Sequence, residues 1–116
     1  MSLSISYLIT HIKQPAEVLP IDVSFGKLHI LPRGAKEIVS AQASAKKWPR
    51  KFINESESAN DFLVSTTPVI LSPNKTTVRT TVTGGQPGWD YQVTILVTFD
   101  NGAKLEEEVF IRVREE

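Results

Sequence analysis

Imidazole and carboxylate side chains are the groups from which this chain could build a catalytic site. Two histidines, His11 and His29, are the only imidazoles in the sequence, and Asp22 could in principle orient His29. Asp22 and His29 fall on different predicted segments flanked by proline, whereas catalysis needs a nucleophile with a base, a carboxylate pair or a metal in one place. We therefore predict no catalytic residue, no metal site and no cofactor.

Three consecutive glutamates, residues 106–108, form the densest carboxylate run. A cation site would need further oxygen ligands from an adjoining loop, and no oxygen-rich loop adjoins this run. Alternation along a strand also turns Glu107 away from its two neighbours. We interpret the run as a solvated strand.

Cations surround an indole in KKWPRK, residues 46–51. This combination can hold phosphate and stack a base, but the acidic residues Glu55, Glu57 and Asp61 follow closely and reduce its field. We predict a loop or a protein contact here and no nucleic-acid partner, because aromatic residues and arginine are enriched at protein-binding hot spots. The candidate partner-binding residues of this stretch are Trp48, Arg50 and Lys51.

Composition excludes several classes of protein. The 116 residues suffice for one domain that buries roughly 65% of its unfolded surface. Lys and Arg together number 13, and Asp and Glu together also number 13. Because the positive and negative charges balance, no global field attracts nucleic acid or an anionic membrane. The absence of cysteine excludes disulfides and thiolate zinc sites. No window approaches about 20 apolar residues and no signal peptide is evident, so we expect cytoplasmic synthesis and no membrane partner.

Strand-like runs separated by Pro, Gly and Asn dominate the chain. Seven short strands of this kind predict an all-β sandwich or barrel. Residues 35–47 contain helix formers, but the alternation of Val39, Ala41 and Ala43 favours a strand, while the polar residues 46–60 suit a long exposed loop. The predicted strands are residues 4–12, 20–25, 36–45, 61–71, 76–83, 91–99 and 105–114.

The last two predicted strands allow a prediction of their pairing. Their apolar residues meet on one face if Phe99 lies opposite Leu105, which leaves residues 101–103 as a loop with Gly102 free to adopt a positive φ. On the other face, Leu96 and Phe110 then lie diagonally adjacent among polar residues. Either a loop covers these two side chains or they form a partner-binding patch.

A glycine-rich turn, a tyrosine and a long alternating strand follow one another in residues 83–102. This order is similar to the penultimate strand of an immunoglobulin-like sandwich, and Tyr91 stands where such domains place a tyrosine corner. We expect its hydroxyl to satisfy a backbone group of the preceding turn. The residues assigned structural roles are Tyr91, Gly84, Gly85, Gly88 and Gly102.

From residue 13 to residue 114, the order of short motifs resembles that of small phage virion proteins called fiber-tail adaptors. The likeness begins at Lys13-Gln-Pro15, continues through a strand that starts at Glu37-Ile38 and a Gly84-Gly85 turn before Tyr91, and ends at Arg112-Val-Arg114. The chain departs from the family pattern by adding residues 4–12 and by replacing a short apolar turn with residues 46–60.

This resemblance implies a non-enzymatic structural protein of a phage or prophage tail or neck. Such a protein acts through contacts with other virion proteins, in several copies on a ring, and is located in the virion once assembled. We expect residues 1–26 to form an extended N-terminal arm or first strands, and residues 27–116 an immunoglobulin-like antiparallel β-sandwich. The alternative is a free-standing immunoglobulin-like binding module for a protein or a carbohydrate.

Overall fold

A computed structural model describes residues 9–28, 31, 33–49 and 57–114. Strands with alternating or β-branched residues make up most of this part of the chain, as their preference for a pleated, half-buried surface predicts. The elements are β1 (Ile9–Lys13), β2 (Leu19–Ser24), the single helical turn α1 (Phe25–Leu28), β3 (Ile38–Pro49), β4 (Glu57–Ser58), a 3-10 turn (Asn60–Phe62), β5 (Val69–Leu71), β6 (Thr77–Val82), β7 (Trp89–Phe99) and β8 (Lys104–Val113).

Two sheets contain these strands. The larger sheet has the order β1-β8-β7-β3-β4 and the smaller has the order β2-β6-β5. The edge strand β1 runs parallel to β8, and the other described pairs are antiparallel. The predicted all-β sandwich is confirmed, while the immunoglobulin-like class and a domain boundary at residue 26 stay predictions.

One hydrophobic core lies between the sheets. The larger sheet contributes the odd-numbered residues of β7 and β8, and the smaller sheet contributes Val23 and Val78, which are almost fully buried. Three alanines of β3 pair with the bulkier Val97, Ile95 and Val93 of β7, so small and large side chains alternate across the layer. These alanines are Ala41, Ala43 and Ala45.

The hairpin between β7 and β8 differs from the predicted pairing. Phe99 N–H donates to Ala103 O at 2.8 Å, and Gly102 N–H donates to Phe99 O at 2.9 Å, so the loop is residues 100–102 and Val97 lies opposite Leu105. The predicted register was therefore wrong by two residues, although the facing sides and the positive φ of Gly102 (86°) are as expected. The turn begins one residue earlier because Asn101 Oδ1 accepts a hydrogen bond from Ala103 N–H at 3.1 Å.

The predicted continuous strand over residues 61–71 is also wrong. Val64 N–H donates to Thr81 O at 2.9 Å, so an uninterrupted strand would place residue 66 opposite Arg79, but Val69 lies there instead. The three additional residues arch away because Pro68 lacks an N–H, and because Ser65 Oγ accepts a hydrogen bond from Thr67 N–H at 3.1 Å.

The outer edge of β3 is covered by the segment that follows it. Ala43 N–H donates to Thr66 O at 2.8 Å, and Ala45 N–H donates to Asn60 Oδ1 at 2.8 Å. This covering protects backbone groups that would otherwise template aggregation. The predicted strand over residues 36–45 is confirmed but extends to Pro49, so the predicted loop over residues 46–60 is wrong where β3 and β4 lie; residues 50–56 lie outside the described part.

Hydrogen bonds between side chains of the β7–β8 hairpin and the backbone also fix the segment before β3. Asp100 Oδ1 accepts a hydrogen bond from Lys36 N–H at 3.0 Å, and Asn101 Nδ2 donates to Arg33 O at 2.9 Å. The hydrogen bond from Lys36 N–H is the main cause that lowers the pKa of Asp100 below its ordinary value of 3.8.

We expect Asp100→Asn to weaken the acid dependence of folding stability. Because the folded-state pKa of Asp100 is depressed, its carboxylate contributes stability that is present above pH 3.8 and is lost as the pH falls through the lower folded-state pKa. Thermal midpoints measured from about pH 6 to about pH 2 should therefore fall less steeply in the variant. Parallel curves for the two proteins would contradict this prediction.

Replacement of Thr80 by valine should stabilise the fold. Thr80 is 2% exposed, and its hydroxyl has no hydrogen-bond partner among the described residues. Since a buried unsatisfied hydroxyl is unfavourable, we expect Thr80→Val to raise the free energy of unfolding by about 1 kcal/mol in urea titrations. Thr81→Val, at a half-buried neighbour, is the control and should have a smaller effect; equal effects would refute this explanation.

Candidate functional site

The candidate catalytic groups are not brought together. Asp22 faces Arg79 across β2 and β6, with Nε to Oδ1 at 2.7 Å and Nη2 to Oδ2 at 3.0 Å, and this pairing lowers the pKa of Asp22. His11 is half-buried on β1 opposite Ile111, while His29 lies outside the described residues. Among the described residues, no group of three or more His, Asp or Glu side chains is placed to hold a metal ion.

The glutamate run is not a uniformly solvated strand. The register of β7 and β8 places Glu107 opposite Ile95 on the core side, where it is 2% exposed. Glu107 Oε1 accepts a hydrogen bond from Glu108 N–H at 3.2 Å. The solvated interpretation is therefore wrong for Glu107, because alternation along β8 puts Glu107 on the same side as Leu105 and Val109, and this side faces the core.

A buried lysine joins the N-terminal strand to the turn between β6 and β7. Lys13 is 0% exposed, and its ammonium donates to Gln14 O at 2.7 Å, Pro15 O at 3.2 Å and Gly84 O at 2.6 Å. The ammonium also lies 5.8 Å from the centroid of the Phe62 ring, within the range of a cation–π interaction. We name this group of residues the Lys13 junction.

Burial lowers the pKa of Lys13, and the nearby Glu17 carboxylate acts in the opposite direction. A buried ammonium is tolerated where hydrogen bonds replace its hydration. The three carbonyl oxygens at the Lys13 junction supply that replacement. The junction is thus an internal structural contact, because the Lys13 ammonium donates its hydrogen bonds to the protein's own backbone.

Gly85 lies beside the Lys13 junction and permits a close approach of the chain. Its φ is 100°, and a Cβ at this position would lie 2.8 Å from Val113 Cγ2 and 3.0 Å from Phe62 Cε1. A side chain here would therefore be both strained and in collision. The absence of a side chain lets the turn reach Lys13.

Tyr91 closes the same region from the β7 side. Its ring stacks on Phe62 with 4.0 Å between centroids, and its hydroxyl accepts a hydrogen bond from Gln86 N–H at 2.8 Å. This is the backbone contact that the sequence predicts for a tyrosine corner. Burial is the main cause that raises the pKa of the Tyr91 hydroxyl.

Residues 46–49 of the basic and aromatic stretch belong to β3, where Lys47 pairs with Tyr91 at this end of the sandwich. Lys47 Nζ donates to Gln86 Oε1 at 2.7 Å and lies 5.0 Å from the centroid of the Trp89 ring. The backbone of Trp48 pairs with Asp90, while Arg50 and Lys51 lie outside the described residues. The partner-binding role of Trp48, Arg50 and Lys51 remains a prediction.

The outer side of the larger sheet, which we name the charged face, is rich in ionic groups. Leu96 lies opposite Glu106, and Phe110 lies opposite Gln92, with another residue pair between them. The prediction that Leu96 and Phe110 are diagonally adjacent is therefore wrong, and both are half-buried. The charged residues of this face are Lys46, Asp90, Lys104, Glu106, Glu108 and Arg112.

The outer side of the smaller sheet has a different chemistry. Its residues include the Asp22–Arg79 ion pair and two exposed valines, Val64 and Val69, each 60% exposed. A cleft of about 110 Å³ lies at the arch between these valines, and Pro68 and Thr80 are among its lining residues. We name this surface the valine face; its outward residues are Pro20, Asp22, Val64, Val69, Arg79 and Thr81.

Sequence analysis did not predict the valine face. In one continuous strand, residues 64 and 69 would point to opposite sides of the sheet, because side chains alternate. The three additional residues before Val69 change this parity and bring both valines to the same side. Pro68 was the available signal for an interruption, but its consequence depends on the hydrogen bond from Ala43 N–H to Thr66 O.

This chain belongs to the family described as podophage GP4 fiber-tail adaptor protein gp77, whose sequence profile matches residues 13–112. The matched range begins at Lys13 and includes the residues of the junction and both outer faces. No curated protein matches the sequence. No helix among the described residues has the length and apolar character needed to cross a membrane.

We expect Lys13→Met to destabilise the protein by about 2 kcal/mol, because methionine fills the space but donates no hydrogen bond to the three carbonyl oxygens. Urea unfolding monitored by tryptophan fluorescence measures this change. Lys47→Met is the matched control: Lys47 donates to one side chain at the surface, so its loss should change stability by less than about 0.5 kcal/mol. Equal effects of the two substitutions would refute a special role for Lys13.

Proposed function

We propose that this protein is a non-enzymatic structural component of a phage or prophage particle that joins other tail or neck proteins through protein–protein contacts. Membership of the fiber-tail adaptor family over residues 13–112 is the observation that carries this proposal. Synthesis in the cytoplasm and incorporation into the virion follow from it. Assembly in several copies, as a ring on other virion proteins, belongs to the same proposal.

The construction of the sandwich supports a mechanical role. A buried ammonium, a stacked pair of rings and an approach that only glycine permits converge where β1, β6, β7 and β8 meet. Contacts of this kind hold strands in one relative position and leave the outer faces of the sheets for partners. An adaptor needs such rigidity because its two contact surfaces must keep a fixed relative orientation.

We propose that Trp48, with Arg50 and Lys51, contacts a virion partner. The described part of this stretch supports the proposal: Lys47 and Trp89 form a cationic and aromatic pair at the same end of the sandwich, and such residues are frequent at hot spots. Leu96 and Phe110, half-buried on the charged face, are proposed as a second contact.

Two segments of the predicted N-terminal arm are strands that pair within the protein. β1 pairs with β8, and β2 pairs with β6, so residues 9–13 and 19–24 belong to the protein's own sheets. Residues 1–8 lie outside the described part of the chain. A contact with a neighbour's sheet edge is therefore not proposed for residues 9–13 and 19–24.

Mass spectrometry of purified particles from the source strain tests the proposed function. We expect the chain to be present at a fixed ratio to the other virion proteins. Absence from intact particles, with the protein abundant in the lysate, would overturn the adaptor role and favour the free-standing binding module. Binding of the isolated protein to a glycan array would then support the carbohydrate alternative.

We expect Trp48→Ala to reduce incorporation into these particles by at least about tenfold if Trp48 is a hot spot. The thermal midpoint of the isolated variant establishes that it folds. Incorporation equal to that of the parent protein would remove Trp48 from the proposed contact without affecting the proposed function.

A further inference from the structure

We propose that the valine face docks on a neighbouring virion protein whose contacting surface is uncharged and aliphatic. This inference rests on the proposed function and assigns it a surface. It concerns the sheet face opposite to the one that holds Leu96 and Phe110, so it names a contact distinct from those already proposed.

Exposure of aliphatic residues is the first observation. Val64 and Val69 are each 60% exposed and lie on the same side of the smaller sheet. They are two of the five large hydrophobic residues that are exposed in the described part of the chain. Single exposed aliphatic residues are ordinary on a protein surface, but a group of them on one side of a sheet indicates an interaction site.

The charged groups of the valine face determine which kind of partner surface it can bind. The two ionic groups among the outward residues, Asp22 and Arg79, already satisfy each other through two hydrogen bonds. A charged partner group placed over Val64 and Val69 would lose hydration without gaining an opposite charge. The centres of protein interfaces are depleted in charge for this reason, so the complementary partner surface is uncharged.

The cleft specifies one further feature of the partner. Its volume of about 110 Å³ exceeds that of several water molecules at about 30 Å³ each and fits one small side chain. A small aliphatic side chain of the partner would fill this cleft between the two valines.

The small area of the valine face limits the affinity of one copy for its partner. Three strands about 4.8 Å apart and about six residues long cover on the order of 300 Å², which is below the roughly 800 Å² per partner of a stable interface. One copy would therefore dock weakly. Several copies on a common ring would bind firmly, because each contact after the first is made at a high effective concentration.

Paired substitutions of opposite charge test the inference in assembling particles. Val69→Asp and Val69→Lys each place a charge on the valine face, and Ile12→Asp is the matched control because Ile12 is equally exposed, at 61%, on the charged face. Incorporation is measured by mass spectrometry of purified particles, and the thermal midpoint of each isolated protein checks its folding. We expect both Val69 variants to lose at least about tenfold in incorporation and Ile12→Asp to retain the parent level.

The outcomes separate this inference from the proposed function. Absence of the parent chain from particles would overturn the proposed function, whereas full incorporation of both Val69 variants beside an incorporated parent would overturn only the docking surface. Loss with one sign of charge alone would show a charged partner and overturn the proposed chemistry. Concentration-dependent dimers in sedimentation equilibrium that Val69→Asp abolishes would identify a second copy as the occupant and overturn the assignment to a different virion protein.

Discussion

The buried ammonium of Lys13 is the contact on which the arrangement of the N-terminal strand depends. An ammonium without hydration requires several acceptors at once, and at this position they come from Gln14, Pro15 and Gly84. Gly84 lies in the turn between β6 and β7, so one side chain connects the parallel edge strand β1 to the centre of the sandwich. The close approach at Gly85 and the stacking of Tyr91 on Phe62 position the turn that carries this acceptor.

The two outer faces of the sandwich differ in physical character. The larger sheet presents charged residues from three strands, whereas the smaller sheet presents aliphatic side chains around one mutually satisfied ion pair. A surface of the first kind is well hydrated and is stable in contact with water. A surface of the second kind gains by being covered.

Much of the strand structure followed from local alternation. The β-branched and aromatic residues of β7 and β8 predict both strands and the sides that they present to the core, and the residues of β3 predict a strand despite their helix propensity. The pairing of β7 with β8 did not follow, because apolar alternation fixes the parity of a register but leaves a two-residue shift undecided. Asn101, which accepts a hydrogen bond from Ala103 N–H, determined that shift.

By itself, the amino-acid sequence determined the all-β class, the contact of Tyr91 with the preceding turn and the likeness to the adaptor family, since these depend on residue types at local spacings. Only the tertiary structure decided which groups meet across long distances. Lys13 and Gly84 are 71 positions apart, and Val64 and Val69 share one face because Thr66 accepts a hydrogen bond from the opposite sheet. Side-chain periodicity carries no information about such contacts, because they arise when separate segments satisfy each other's backbone groups.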